Sequence, residues 1–362
     1  MRPRIILRTH YQADEPRAII ATVTQCSSPT ESRHEEAVAG ALVKWAKENG
    51  HTLSTPGAVY AVGNAQSLGL LNNSHRWTAR GLAFGYINSV LPPGKGITGL
   101  VLSTPEERLY LKYYLERGGA LLIKFGQWLL GRGRTTDEEL RTESTIEKLL
   151  VEILDEYLTI ATDIRDRTAI RRERDRLSRS DYASSTKRHK RYPLVRTMER
   201  LKLVVTEQED GHRTSVSPDP TGRLASILTL IPDVTALERL CRDNALDHAI
   251  DEAEYRSSKT EPQLGSPVAP LLAGAYRFAI RRGLQACPLT YLEDLLFAYV
   301  RRDAHASGKC ATVEAIFESL HRRCPNEVRF HVDRRGRRSF VLVSGDASSR
   351  LEELLSHSSV TS

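Results

Sequence analysis

Apolar residues recur every three or four positions over most of this chain and alternate in only a few short places, so helices should dominate. From Ser32 to Asn49-Gly50, Val38, Ala41, Leu42 and Trp45 share one helical face, and Ser32 with Glu35 has the spacing of a capping box. A second helix is expected over Thr55–Leu68 with Ala61, Val62, Ala65 and Leu68 inward, which turns Tyr60, Asn64 and Ser67 outward. Leu68-Gly69-Leu70-Leu71 then reads as a short strand, followed by the polar loop Asn72–Arg76 and by Trp77-Thr78-Ala79-Arg80. Upstream, the apolar runs Arg4–Leu7 and Ala18–Val23 flank a turn at residues 12–16, the pattern of a hairpin or arm.

Further along, Thr104-Pro105 with Glu107 opens a helix that Gly118-Gly119 should break near Arg117, and Ala120–Leu130 is apolar enough to be a buried second helix. From Asp137 to about Arg179 the pattern is helical with one break expected, and its apolar stripe fades after Ile164, where arginine takes over. Tyr192-Pro193 starts a short helix to Lys202 with Leu194, Met198 and Leu201 inward and Arg196 and Arg200 outward. Leu203–Val205 and Arg213–Val216 flank Asp210-Gly211, a strong hairpin signal. Helices interrupted at Pro232 follow over Leu224–Tyr255, and the polar stretch 256–267 reads as a domain boundary. The last module should hold helices at Leu271–Arg282, Tyr291–Arg302 and Thr312–Arg323, then a hairpin of Val328–Val332 and Ser339–Val343.

The expectation is a mainly α fold with small β-hairpins (α+β). It divides into an arm and first module (1–100), a helical connector (101–180), a basic second module with trailing helices (181–255), a C-terminal module (268–345) and a fraying tail (346–362). Helix, turn, helix, short strand and polar loop over Ser32–Tyr86, a short helix before a hairpin near 192–216, and three helices before a hairpin at 268–343 all resemble the winged helix-turn-helix superfamily. The resemblance implies tandem winged-helix modules joined by long helices, with a helix in the DNA major groove and a wing along the backbone. It also implies a second use, since tandem winged helices serve as protein-docking units in chromosome-organising and genome-defence complexes.

Charge sharpens this picture. Residues 165–202 hold 14 lysines and arginines against five carboxylates, while the rest of the chain holds 38 against 40, a net −2 within a chain of net +7. Such concentration is the footprint of a phosphate-backbone binder, although a solvated basic helix or arm without a ligand has the same composition. The candidate contacts are Tyr60, Asn64, Ser67, Arg76 and Arg80 in the first module, then Arg171, Arg172, Lys187, Arg188, Lys190 and Arg191. Arg196, Arg200 and Arg213 follow in the second module, and Arg334, Arg335, Arg337 and Arg338 on the last wing. Arginines on a groove helix can read guanine edges, while the lysine-rich run would position the protein on phosphates. In the last module Glu318 faces outward beside the cationic wing, which leaves DNA and protein contact both open there.

The expected partner is therefore double-stranded DNA, with RNA left open. A protein partner or a homodimer through 145–164 or the C-terminal module stands beside it. No catalytic constellation is legible: HExxH, G-x-S-x-G and a Walker loop are missing, the last because Lys95 is followed by Gly96. No cofactor or metal is expected, and a non-catalytic role follows. The five cysteines form no CxxC and read as free thiols. No run nears the ~18 apolar residues of a membrane span, and Met1–Gln12 lacks an apolar core, so a cytoplasmic, nucleoid-associated location is expected.

Overall fold

A computed structural model describes residues 3, 15–90, 102–142, 145–179, 194–209, 212–257, 268–300, 312–332 and 336–356. Ala18–Val23, expected as an extended run, lies in helix α1 (Pro16–Thr24), with Ile19, Ile20 and Val23 all buried. A continuous apolar run does not distinguish a strand from a helix buried on every side, and Pro16 in the first turn favours the helix. Helices α2 (Glu35–Glu48) and α3 (Thr55–Ser67) follow, α3 capped by Ser54, whose hydroxyl accepts from the Gly57 N–H at 3.2 Å. Ser32 makes no capping box, because its hydroxyl donates to the Ser74 carbonyl instead.

The expected strand and wing after α3 do not form. Gly69 turns the chain at φ +74°, and residues 68–78 make two single-residue bridges, Leu71 with Trp77 and Ser28 with Arg76. Trp77 explains the difference. Its indole is buried and donates to the Val23 carbonyl at 2.8 Å, so the segment turns inward and continues as helix α4 (Ala79–Val90). Gly85 of α4 lies so close to the Trp77 ring that no side chain would fit there.

Helix α5 (Thr104–Arg132) runs 29 residues without a break. It starts one residue earlier than expected, with Ser103 and Glu106 as the reciprocal capping pair. Gly118-Gly119 does not end it. Gly119 faces Leu237, and Gly126 faces Leu224 and Leu228, so the glycines let neighbouring helices approach closely. After β1 (Thr135–Thr136) come α6 (Asp137–Thr142), α7 (Thr145–Ile160) and α8 (Ile164–Arg179). The break between α7 and α8 falls at Asp163, whose carboxylate accepts from the N–H groups of Arg165 (2.7 Å) and Asp166 (3.2 Å).

The chain resumes with a helix over 194–200 (α9), the strands β2 (Val204–Glu209) and β3 (His212–Pro218), and helices α10 (Arg223–Leu230), α11 (Val234–Arg242) and α12 (Leu246–Ser257). Helix α13 (Val268–Arg281), strand β4 (Cys287–Pro288) and helices α14 (Leu289–Tyr299) and α15 (Val313–Arg323) precede the hairpin β5 (Val328–Val332) and β6 (Arg338–Val343). The short helices α16 (Gly345–Ser349) and α17 (Leu351–Ser356) follow. The stretch expected to fray thus holds a helix, because Leu351 and Leu355 are fully buried and α17 packs on α13.

Both sheets are antiparallel and share one order, β1-β3-β2 and β4-β6-β5. In each, a two-residue strand before the helices pairs with the last strand of the hairpin: Thr135 opposite Val216, and Cys287 opposite Val341. The first sheet's unit differs by having α7 and α8 between α6 and α9. One apolar core extends from Ile19 to Leu355 and includes α5 along most of its length, while a smaller core joins α2 to α3.

Candidate nucleic-acid interface

Helix α8 is the most cationic element described. It carries seven arginines against Asp166, Glu173 and Asp175. Of its described side chains only Ile170 and Leu177 are buried, and it rests on α7. Arg174 faces α7 and is held by Asp155, Nε to Oδ1 at 2.6 Å. Arg176 bonds Glu173 one turn back at 2.5 Å. Arg165, Arg171 and Arg172 are exposed, and among the described residues no ion pair engages them. Arg165, Arg172 and Arg176 fall on one stripe, spread over roughly 16 Å at 1.5 Å per residue.

The other sequence candidates divide. Tyr60 and Arg76 are exposed, and Ser67 is exposed with its hydroxyl bonded to the Gly63 carbonyl at 2.8 Å. Asn64, expected to face outward, is only 3% exposed, because it lies three residues after Ala61 and shares its inward face. Arg80 is half-buried, paired with Glu116 and stacked over Tyr113 with its guanidinium carbon 4.6 Å from the ring centre. Arg196 and Arg200 were expected to face a groove. Instead both turn to the buried Glu15, with Arg200 Nε 3.0 Å from Oε1 and Arg196 Nη1 3.8 Å from Oε2. The helix that carries them is mostly buried, with Leu194, Val195, Thr197 and Met198 inside. Arg338 is half-buried and lies 3.2 Å from Glu318, while Arg337 is exposed. Lys187, Arg188, Lys190, Arg191, Arg334 and Arg335 lie outside the described residues, as does the side chain of Arg213 on β3.

Sequence reasoning missed the charges buried along α5. Arg17 of α1 reaches Glu106 through two hydrogen bonds of 2.6 and 2.8 Å. Arg223 bridges Glu107 and Glu254, and Arg108 engages Asp251 and Glu254 beneath the Phe297 ring. Lys112 lies 2.8 Å from both Asp247 and Asp294, and the Tyr113 hydroxyl donates to Asp294 at 2.6 Å. Burial opposes the Lys112 charge, but Asp294 and then Asp247 outweigh it and raise its pKa. Burial, reinforced by Asp294, likewise pushes the Tyr113 phenol well above its usual range. Both groups therefore keep their protons near neutral pH. The only local signal in the sequence was a run of charged residues inside an otherwise apolar helix.

Lys112, Asp247 and Asp294 border a cleft of about 730 Å³, with Arg80, Glu293 and His248 on its walls. Its charges largely neutralise one another. Among the described residues no group of three or more His, Cys, Asp or Glu is placed to hold a metal, and no helix is long and apolar enough to cross a membrane. Cys26, Cys241, Cys287 and Cys324 are free thiols, and burial pushes the Cys26 thiol up to about 12. The chain matches no protein-family model, no curated protein and no solved structure.

Proposed function

We propose that this chain is a non-catalytic, double-stranded DNA-binding protein that grips the phosphate backbone through α8 and the adjoining basic run 187–191. The observation that carries the reading is the exposure of Arg165, Arg171 and Arg172 on α8, a helix that contributes little to the core. Arginine forks on phosphate oxygens release counterions and supply affinity with little sequence preference. We read the two sheet-bearing units as winged-helix modules, supported by their shared order of helix, short strand, helices and hairpin and by their shared strand order. In this reading the modules are scaffold, since α9 is closed by Glu15 and the outer face of α15 begins with Glu314 and Glu318. A nucleoid-associated location would follow.

A second reading, an assembly subunit that docks protein through its C-terminal module, is favoured by the β5–β6 hairpin. The hairpin exposes Val332, Phe340 and Leu342, and apolar residues gathered on one hairpin suit a protein contact. The two roles are compatible.

The test is duplex binding against salt for the wild type and Arg171→Ala/Arg172→Ala. Log affinity should fall linearly with log salt, and the variant should bind more weakly with a slope shallower by about 2, at roughly 0.9 per phosphate contact. Absent or salt-insensitive binding sinks the DNA reading. Stronger binding to single strands or to duplex RNA moves it to another nucleic acid.

A further inference from the structure

Each small sheet has an open edge. The orders β1-β3-β2 and β4-β6-β5 put β2 and β5 outermost, and among the described residues each pairs on one side only. Their charges are handled differently. On β2, Glu207 is paired with Arg134 and accepts from the Ser215 hydroxyl at 2.9 Å. On β5, Arg329 is exposed and among the described residues no ion pair engages it, while the carboxylate two residues back, Glu327, lies 3.8 Å from Arg350. We propose that β5 is a strand-addition site. An extended segment of a partner protein, with carboxylates at alternate positions and apolar residues between them, pairs with the free edge and sets a carboxylate beside Arg329. The inference rests on the reading of the C-terminal module as a protein-docking unit and names how it docks.

The ladder fixes which groups are open. The Glu327 carbonyl accepts from the Ser344 N–H at 2.8 Å, and in an antiparallel pair such bonds fall on every second residue. Arg329 and His331, opposite Leu342 and Phe340, therefore bond to β6, and the N–H and C=O of Phe330 point away from it. Side chains alternate as well. His331 packs its ring on Phe340, 6.1 Å between centres, so it and Arg329 stand on the outer face. Phe330 packs on His321 of α15 and stands on the inner face, with Val332 beyond it, 48% exposed. A strand added here meets Arg329 and His331 with one set of residues and Phe330 and Val332 with the other, which is why its sequence must alternate. A lone cation on an edge turns away strands that carry cations and favours one with a carboxylate opposite it. A second copy of β5 would bring only arginine and histidine to the outer face. Nucleic acid would meet a single arginine and leave the edge N–H and C=O unpaired.

The experiment measures binding of short labelled peptides to the full chain by fluorescence anisotropy. A peptide that alternates glutamate and valine should bind and protect the Phe330 N–H from hydrogen exchange. A peptide of the same composition, with its glutamates in one block and its valines in another, should bind about tenfold more weakly. Arg329→Glu should weaken the alternating peptide by roughly tenfold, since an attraction of up to about fivefold is lost and a repulsion of similar size is gained. It should favour a lysine–valine peptide instead, and Arg329→Lys should keep the wild-type preference. Equal binding of the alternating and blocked peptides, as α8 would give by charge alone, overturns the inference. A preference that Arg329→Glu leaves unchanged does the same. If Phe340→Ser/Leu342→Ser abolishes binding and Arg329→Glu does not, the inference falls and the docking reading survives. Binding of no peptide overturns both. An oligothymidylate that binds in place of the peptides, and is lost in Arg329→Glu, assigns the edge to nucleic acid and overturns the inference.

Discussion

Helix α5 carries Glu106, Glu107, Arg108 and Lys112 within two turns, and helix α8 carries seven arginines within sixteen residues. In α5 each of these charges meets an opposite charge from a distant part of the chain: Arg17, Arg223, Asp251 and Asp294 lie 89 to 182 residues away. In α8 the partners of the arginines among the described residues include Glu173 and Asp175 on the same helix and Asp155 on α7. The first arrangement fixes how helices from the whole chain meet. The second leaves a cationic surface whose field extends about 8–10 Å into a physiological salt solution. Charge density alone does not tell a binding helix from a structural one; where the counter-charges come from does.

The sharpest way to break this contrast is at Arg108. Arg108→Met leaves Asp251 and Glu254 buried without it and should cost roughly 3–5 kcal/mol of unfolding free energy, read by urea denaturation. Adding Asp251→Asn should recover much of that, since the stranded carboxylate is then removed. A loss below about 1 kcal/mol, the range of exposed pairs, would mean that the α5 network is no more than a surface feature.

Lys112→Met should cost somewhat less, about 2–3 kcal/mol, because the lysine side chain keeps 11% exposure and some water can replace it. The sign of its pH dependence follows from a folded pKa raised above the ordinary 10.5. Its contribution is whole below 10.5 and is lost as pH rises through the raised folded value. The wild-type and Lys112→Met stability curves should therefore run parallel from neutral to mildly alkaline pH and converge only in stronger alkali.

At the other end, Arg171→Ala/Arg172→Ala should change stability by no more than about 0.5 kcal/mol per residue while weakening duplex binding. A large stability loss there would show that α8 is structural like α5, and the contrast would fail.

Much of the architecture was legible. The strands expected on either side of Asp210-Gly211, which itself lies outside the described residues, are β2 and β3, and the helices and hairpin expected after residue 268 became α13, α14, α15, β5 and β6 with ends shifted by a few residues. The two-residue strands β1 and β4 were not legible, because two residues carry no period. The wing expected near Leu70 failed because Trp77 found a buried place against Val23 and Gly85. The glycines of α5 looked like a break and proved to be contact points for Leu224, Leu228 and Leu237. At the interface, the arginine enrichment beyond Ile164 was visible at once. That Arg196, Arg200, Arg80 and Arg338 would be tied to Glu15, Glu116 and Glu318 was not.

The sequence by itself determined the helical character, the hairpin positions and the concentration of positive charge in one segment, because periodicity, turn chemistry and net charge act between near neighbours. Only the tertiary structure decided which charges remain in solvent. That depends on carboxylates brought from far along the chain, and desolvation and pairing are properties of the assembled fold.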